Sequence, residues 1–430
     1  MLFVLGIVLF AVGIGFTIAW HELGHYATAR WFGVRVPEFM VGWGRTVISW
    51  RRGETEFGLK ALPIGGYVRM VGMLPPRAGE THGRTRKSGP FQGLIESARA
   101  ESELVWQPGD EKREFWTRSP WKRIIVMGAG PVMNLILAVL LLGISLMAIG
   151  TPGTLTVSEV SKCMAVTKLG TAPGIGECPA GAQPTPAAVA GVRAGDTVVS
   201  LAGVRYERWE TFRRAVRDVT GTVPLVVRRN GQEIMLTITP VRTAIRDLDD
   251  SSKLTTGSFL GFSPTSDYQR QDAGFVVHRI GQYITQTGVA LAALPGRVPE
   301  LFRQAFLGAK RSYDTPLSVV GVSRIGGQVL GQDTPWKPRL AFFLGLLAGV
   351  NLSMFLINLL PVPPFDGGHI MAAAWEGVRR RLARLRGRSD PGPVDLAKMM
   401  PVAYAVGIMF LGYSALVVVA DIVNPLRLGS

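Results

Sequence analysis

Four long runs of apolar residues alternate with polar stretches along the chain. The runs cover residues 2–20, 124–148, 340–360 and 402–423. Each comes close to the roughly 20 apolar residues that a helix needs to cross the hydrocarbon core of a bilayer. We predict four transmembrane helices, which with their flanks occupy residues 1–32, 121–149, 339–369 and 401–424. The first run has no basic leader and no small-residue cleavage site, so we expect a retained helix and not a signal peptide.

The stretches between the apolar runs predict β structure and shorter helices. Residues 47–50 and 56–62 flank Arg51-Arg52-Gly53-Glu54, which is a turn signal, so a β-hairpin is expected within residues 33–75. Residues 76–120 are a polar segment to which the sequence assigns no function. Residues 152–245 predict an α+β domain, with a helix near 210–219 and strands at 223–228 and 233–239. Residues 246–338 are expected to be a connector with an amphipathic helix at 281–307.

The distribution of charge gives these segments an orientation. The chain of 430 residues is 47% hydrophobic and carries a formal net charge of +16, which in a soluble protein would suggest a nucleic-acid partner. The basic residues instead cluster in residues 33–120 and 370–400, beside the predicted spans. Because cytoplasmic loops are rich in Lys and Arg, we place both segments in the cytoplasm, and both termini and residues 151–339 outside. We expect contact with the lipid bilayer and none with nucleic acid.

A zinc-site motif lies at the end of the first apolar run, in His21-Glu22-Leu23-Gly24-His25. Residues four apart share one face of a helix, so His21 and His25 can bind one Zn²⁺ together, with Glu22 beside them as a general base. Ionisable side chains are costly at bilayer depth, which favours a functional role. The alternative is a chance spacing of two histidines on a soluble helix.

A second group of polar residues follows the third apolar run, at residues 361–369. Prolines interrupt the helix there, and Asp366-Gly367-Gly368 is typical of a turn. A catalytic zinc usually has three protein ligands, and Asp366 is the acidic candidate for the third. By the predicted topology the first and third spans both run inward, so the two motifs end at the same depth. The alternative is that Asp366 only shapes a loop, and His369 is not assigned as a ligand.

Together the two motifs resemble the site-2 protease family of intramembrane zinc metalloproteases, and most closely its bacterial, PDZ-containing branch similar to regulator of sigma-E protease. The resemblance implies His21, His25 and Asp366 as zinc ligands and Glu22 as the catalytic base. It also implies a bacterial plasma membrane, single-pass substrates such as anti-sigma factors or remnant signal peptides, and an upstream site-1 protease that trims them first. The predicted fold is thus a multi-pass α-helical membrane protein with a membrane-associated β-hairpin and an extracytoplasmic PDZ domain.

Weaker resemblances mark further residues. Gly130-Pro131-Val132-Met133-Asn134 is similar to the family's Gly-Pro-x-x-Asn segment, and Asn358 falls in its Asn-Leu-Leu-Pro segment. Asn134 and Asn358 are candidates for substrate binding or for stabilising an oxyanion. For Asn134, a helix-packing or capping role is an equal alternative.

The hairpin and the PDZ-like domain each leave two roles open. Residues 187–200 resemble a PDZ signature, and such domains bind peptides by strand addition. A bulky outer domain can also exclude substrates that still carry large ectodomains. The hairpin resembles the family's membrane-associated β-loop, whose edge could pair with an unwound substrate helix. Its alternative role is that of a structural hairpin lying on the bilayer.

The chain has two cysteines, Cys163 and Cys178, both in the predicted outer region. Because that compartment permits oxidation, we predict that they form a disulfide, and two unpaired thiols are the alternative.

Two rival functions are less consistent with the sequence. A membrane scaffold with a PDZ domain and a structural zinc site would have no need of the base Glu22. A metal transporter would need polar residues spread over several spans, and the second and fourth spans contain few.

Overall fold

The computed structural model describes residues 2–75, 106–164, 182–246, 254–265, 267–309, 311, 315–331 and 335–425. Most of the predicted polar segment 76–120 lies outside this range, as does Cys178. Cys163 lies within the described part and is buried. Because Cys178 lies outside that part, the pairing of the two cysteines stays a prediction.

The helices and strands alternate along the chain. The α-helices are α1 (Leu2–Trp31), α2 (Pro120–Gly143), α3 (Pro186–Val189), α4 (Trp209–Asp218), α5 (Ala273–Phe306), α6 (Val319–Gly331), α7 (Trp336–Asn358), α8 (Asp366–Leu385) and α9 (Met400–Val423). The strands are β1 (Glu38–Arg52), β2 (Thr55–Arg69), β3 (Thr151–Pro152), β4 (Val157–Val160), β5 (Thr197–Leu201), β6 (Val204–Arg205), β7 (Val223–Arg229), β8 (Gln232–Ile238), β9 (Val241–Arg246), β10 (Leu254–Phe259), β11 (Phe262–Pro264) and β12 (Tyr268–Gln269).

Within the described residues, four helical segments are long and apolar enough to cross a membrane. They are Val4–Trp31, Pro120–Ile149, Trp336–Asn358 and Leu396–Val423. The prediction of four spanning helices is therefore confirmed in number and position by length and composition. The second includes a π-helical turn, Ile144–Ile149, directly after α2.

One compact unit comprises residues 1–143 and 276–430. Its core contains a stripe along α1, where Phe10, Ile14 and Ile18 are buried four residues apart. The spacing of one helical turn places them on the same face as His25 and the buried Ala29. The histidine pair therefore continues the packing face of α1 and points into the unit, not toward its surface.

The predicted hairpin is confirmed and is longer than expected. Strands β1 and β2 pair in antiparallel fashion around the turn at Gly53 and Glu54. At that turn Glu54 accepts hydrogen bonds from Arg113 and Arg30. The hydrogen bond from Arg113, with its charge and that of Arg30, lowers the pKa of Glu54 to about 2. The tip of the hairpin is thereby fastened to the end of α1 and to the segment before α2.

Helix α8 replaces part of the predicted basic loop 370–400. Its first residue is Asp366 and it continues to Leu385, so the sequence Asp-Gly-Gly starts a helix instead of forming the predicted turn. A buried ion pair joins α8 to α2: Arg123 Nη2 lies 2.5 Å from Glu376 Oε1. Arg380 adds a second cation to Glu376 at 3.1 Å. Removing one member of such a pair would leave a buried charge without compensation, so this cluster holds α8 in a defined position on α2.

The second compact unit comprises residues 144–275. It contains a four-stranded antiparallel sheet in the order β6-β5-β7-β8, and α4 contributes Phe212 and Val216 to the same buried core. This unit extends past residue 245, where the predicted domain ends, because β11 pairs with β4 and β12 pairs with β3. These strands of two or three residues are too short to be recognised from alternation alone.

An ion pair orders the loop before β5. Arg229 Nε lies 2.7 Å from Asp196 Oδ1, and Asp196 also accepts a hydrogen bond from the Arg193 backbone N–H. Burial opposes ionisation of Asp196, but these hydrogen bonds outweigh it and lower its pKa.

Candidate metal centre

Three side chains from two distant parts of the chain meet at one point. His21 Nε2 and His25 Nε2 lie 3.2 Å apart, and each is 3.3 Å from Asp366 Oδ2. Among the described residues, these three belong to the side-chain types that bind metals (His, Cys, Asp and Glu) and form one cluster, in which the ligand atoms all lie within 4.8 Å of one another. The structure thus brings together the three residues that the sequence predicted as ligands.

The donor set fits a catalytic zinc ion. Two imidazoles and one carboxylate are a frequent ligand set for catalytic zinc, which leaves a further position for water or substrate. Asp366 Oδ2 is buried beside the two histidine Nε2 atoms, each 3.3 Å away. A cation shared by the three atoms would satisfy this buried carboxylate oxygen.

Local backbone structure explains how Asp366 reaches the histidines. It is the first residue of α8, where the helix dipole favours a negative charge. A Cβ on Gly367 would overlap the carbonyls of Leu359 and Leu360, and one on Gly368 would lie 2.6 Å from Pro363 N. The two glycines therefore allow α8 to begin against the preceding proline-rich segment.

Helix α2 supplies a matching face for the two histidines. Val126, Gly130 and Asn134 are four residues apart and line up on one side of α2. The Val126 carbonyl lies 2.8 Å from His25 Nδ1, and Asn134 Nδ2 lies 3.1 Å from His21 Nδ1. Helices α1 and α2 are therefore antiparallel here, because His25 contacts Val126 and the earlier His21 contacts the later Asn134.

Gly130 creates the space between these two contacts. A Cβ at this position would overlap His25 Nε2 and would lie 2.8 Å from His21 Cε1. On the opposite helix a Cβ at Gly24 would lie 2.6 Å from the Ala129 carbonyl oxygen. The two glycines allow α1 and α2 to approach closely at the metal centre.

We expect Gly130→Ala to lower zinc affinity and cleavage activity together, because the added methyl group must displace the His25 ring. Gly143→Ala on the same helix is the matched control, since a Cβ there meets no other described part of the chain within 4 Å. Zinc titration of the two purified variants measures the difference. Equal zinc affinity in both variants would contradict the close-packing argument.

Glu22 is buried beside the three ligand candidates, with 8% of its surface exposed. The Val68 backbone N–H on β2 hydrogen-bonds to its carboxylate. A Cβ at Gly66 would lie 3.1 Å from Glu22 Cγ, so β2 packs directly on this side chain. The hairpin therefore holds the carboxylate in place next to the histidines.

The remaining candidates lie in different surroundings. Asn358 is the last residue of α7 and is half-buried, and its side chain makes no hydrogen bond among the described residues. His369 lies one turn into α8, not in a loop, and is not part of the ligand cluster. Asn134 is fully buried against His21.

Some contributors carried no usable signal in the sequence. The carbonyl of Val126 and the N–H of Val68 are backbone groups that every such residue possesses. The sequence shows Gly24 and Gly130 only as small residues in apolar helices. Small residues are common wherever membrane-spanning helices pack, so they did not indicate this contact.

The known proteins that this chain resembles are metalloproteases, which agrees with a metal site at His21, His25 and Asp366. The model of the family described as Peptidase family M50 matches residues 9–399. The chain is 35% identical over 443 residues to zinc metalloprotease Rip1 of Mycobacterium tuberculosis, and the match covers 100% of both chains. It is 33% identical over 444 residues to Rip1 of Mycolicibacterium smegmatis, again over 100% of both. It is 28% identical over 396 residues to metalloprotease MmpA of Caulobacter vibrioides, which covers 87% of each chain.

These matches span the segments that carry both halves of the metal centre. A family model that covers most of the chain, together with full-length relatives at 35% identity, settles the classification. The protein belongs to peptidase family M50 and is a zinc metalloendopeptidase of the site-2 protease type.

Proposed function

We propose that the protein cleaves peptide bonds within transmembrane segments of membrane proteins that another protease has already shortened. The observation that carries the proposal is the convergence of His21, His25 and Asp366 beside Glu22, on helices long and apolar enough to span a membrane. A site at such a place acts on chain segments that themselves lie in the bilayer.

His21, His25 and Asp366 would hold the zinc ion. When bound, zinc would lower the pKa of water and polarise the carbonyl of the scissile bond. The protein's part is to keep the three ligand atoms together, which the packing of α1, α2 and α8 supports. Glu22 takes the proton from the attacking water and returns it to the leaving amine. The packing of β2 against Glu22 supports this role because it holds the side chain beside the histidines.

A substrate helix must be locally unwound before its backbone can be attacked. Its own N–H and C=O groups are then left without partners in an apolar medium, so the enzyme must provide replacements. The hairpin is suited to this role, since β2 lies against Glu22 and a strand can pair with an extended peptide. Apolar side chains are exposed along the hairpin, which supports its association with the membrane: Trp43, Val47, Ile48, Trp50, Leu59 and Leu62.

The proposed setting is a bacterial plasma membrane, with both termini outside and the zinc site toward the cytoplasm. The basic residues between the spans support this orientation. The proposed substrates are single-pass proteins of the anti-sigma-factor type, or remnant signal peptides, after a first cut by a site-1 protease. Asn358, the last residue of α7, is proposed to bind the substrate backbone.

Cleavage by the purified protein in lipid vesicles tests the proposal. A single-pass substrate without its ectodomain should be cut within its apolar segment, and a zinc chelator should stop the reaction. Re-addition of Zn²⁺ should restore it. Cleavage that continues at full rate after the metal has been removed, or that occurs only outside the apolar segment, would overturn the proposal.

We also propose that residues 144–275 include a PDZ domain that excludes substrates with folded ectodomains. The four-stranded sheet with helix α4 supports the domain assignment. The ends of the unit lie together, because Thr151 pairs with Gln269 and the Gly153 N–H donates to Asp267 O at 3.0 Å. Residues 154–266 can therefore be replaced by a short Gly-Ser linker with little strain on the chain that remains.

We expect this replacement to leave cleavage of a shortened substrate at about the rate of the full chain, and to permit cleavage of a substrate with its folded ectodomain. Gel assays with the two substrates measure both rates. If the shortened substrate is no longer cut while zinc stays bound, the domain captures or positions peptides instead of excluding them.

A further inference from the structure

The side chain of Asn134 is fully buried on α2 and faces the ligand candidate His21. Its Nδ2 lies 3.1 Å from His21 Nδ1. Its other amide atom, Oδ1, is buried and has no hydrogen-bond partner among the described residues. Buried polar atoms are rarely left unpaired, so this oxygen calls for an explanation.

The neighbouring histidine shows what a partner on α2 can do. His25 Nδ1 lies 2.8 Å from the Val126 carbonyl, which can only accept a hydrogen bond. Its Nδ1 must therefore carry the proton, and in the neutral ring Nε2 then presents a lone pair toward Asp366. The contact sets both the tautomer and the angle of the ring.

Asn134 occupies the equivalent place for His21. On α2, Asn134 lies two helical turns after Val126 on the same face. On the antiparallel α1, His21 lies one turn before His25, so each histidine has its own partner on α2. His21 Nε2 points to the same Asp366 oxygen as His25 Nε2, at the same distance of 3.3 Å. A ligand role for His21 Nε2 requires an acceptor at Nδ1, as Val126 provides for His25.

The carboxamide can provide that acceptor. Its oxygen and nitrogen have almost the same shape and differ by a half-turn of the amide group. With Oδ1 directed at His21, the oxygen accepts from Nδ1–H, and the amide nitrogen takes the position that has no partner among the described residues. The pairing then has the same sense as that of His25 with Val126.

We propose that Asn134 is a positioning residue of the metal centre, whose carboxamide oxygen accepts a hydrogen bond from His21 Nδ1–H and so presents Nε2 to the zinc ion. The inference rests on the proposed function, in which His21 is a zinc ligand. It assigns the amide to His21 and not to the substrate or an oxyanion, because an amide that is fully buried against the ring does not reach an incoming carbonyl.

Two substitutions separate these roles. Asn134→Asp keeps an acceptor and removes the donor, whereas Asn134→Leu keeps the approximate shape and removes both. Asn351→Leu on α7 is the matched control. Asn351 is also fully buried with an unpaired Oδ1, and it donates to Thr17 Oγ1, one turn before His21. Among the described residues its hydrogen bonds go to Thr17 and to the Leu347 carbonyl, not to a ligand candidate.

The measurement is zinc affinity, by competition with a chelator on the purified full-length chain, together with the rate of cleavage. Loss of a hydrogen bond that orients a ligand typically costs about 10–100-fold in metal affinity. We expect a loss of that size for Asn134→Leu, with Asn134→Asp and Asn351→Leu within a few-fold of the unchanged protein. If Asn134→Leu does not fold, Asn134→Asp still decides, because a loss of zinc affinity there refutes an acceptor role.

Other outcomes would overturn the proposal in distinct ways. Unchanged zinc affinity in both Asn134 variants, with turnover lost in both, would assign the amide as a donor to the substrate. An equal loss in Asn134→Leu and Asn351→Leu would indicate general packing. His21→Ala provides the calibration: if it binds zinc as tightly as the unchanged protein, the ligand set of the proposed function fails, independently of the result at Asn134.

Discussion

Glu22→Gln should abolish cleavage while zinc binding is retained. The amide keeps the size of the side chain, so the packing of β2 on α1 is preserved. It cannot take a proton from water at neutral pH. Loss of a general base costs on the order of 10²–10⁴ in rate. The measurements are cleavage of a shortened substrate in vesicles and the zinc content of the same preparation.

The control for this variant is Glu210→Gln in the second compact unit. Glu210 is a carboxylate that accepts hydrogen bonds from Arg213 on α4, and it belongs to neither the site nor the hairpin. Its substitution should leave the rate unchanged. Turnover by Glu22→Gln at the rate of the control would remove Glu22 from the mechanism.

Asp366→Ala should remove zinc as well as activity. Asp366 contributes the carboxylate oxygen that lies 3.3 Å from both histidine Nε2 atoms. Without it, two imidazoles remain, and zinc usually requires more protein ligands than these. The loss of zinc affinity should exceed the roughly 10–100-fold that is typical when only a partner of a ligand is removed. Metal analysis and cleavage assays on one preparation measure both effects.

Asp390→Ala serves as the matched substitution. Asp390 follows the end of α8 and is 62% exposed, with Arg380 Nε at 3.3 Å. The Asp390→Ala variant should bind a full equivalent of zinc and cleave the substrate at the normal rate. Full zinc occupancy in Asp366→Ala would mean that another side chain holds the metal, and the ligand set would have to be revised.

Features that depend on neighbours along the chain could be predicted from the sequence. The pair His21 and His25 is an example, since a helical repeat alone places both rings on one side of α1. The lengths of the four apolar runs likewise follow from the thickness of a bilayer. The hairpin was predicted from its turn residues, but only in the part next to the turn, because β1 begins with the consecutive buried residues 39–42, which do not alternate with polar ones.

Features that depend on distant segments were predicted poorly. The short strands β11 and β12 form only because β4 and β3 offer them partners about a hundred residues earlier in the chain. The start of α8 at Asp366 depends on close packing of Gly367 and Gly368 against the residues before them. The ion pair of Arg123 with Glu376 joins two helices whose pairing no local pattern records.

The sequence by itself determined which residues can bind a metal and which segments are apolar enough to span a membrane. Only the tertiary structure decided how α2 lies against α1, with Val126 at His25, Gly130 between the rings and Asn134 at His21. The physical reason is that residue type and spacing set the chemistry and the face of one helix. The partner of each histidine, in contrast, depends on the register between two antiparallel helices, which is set by close packing at Gly24 and Gly130.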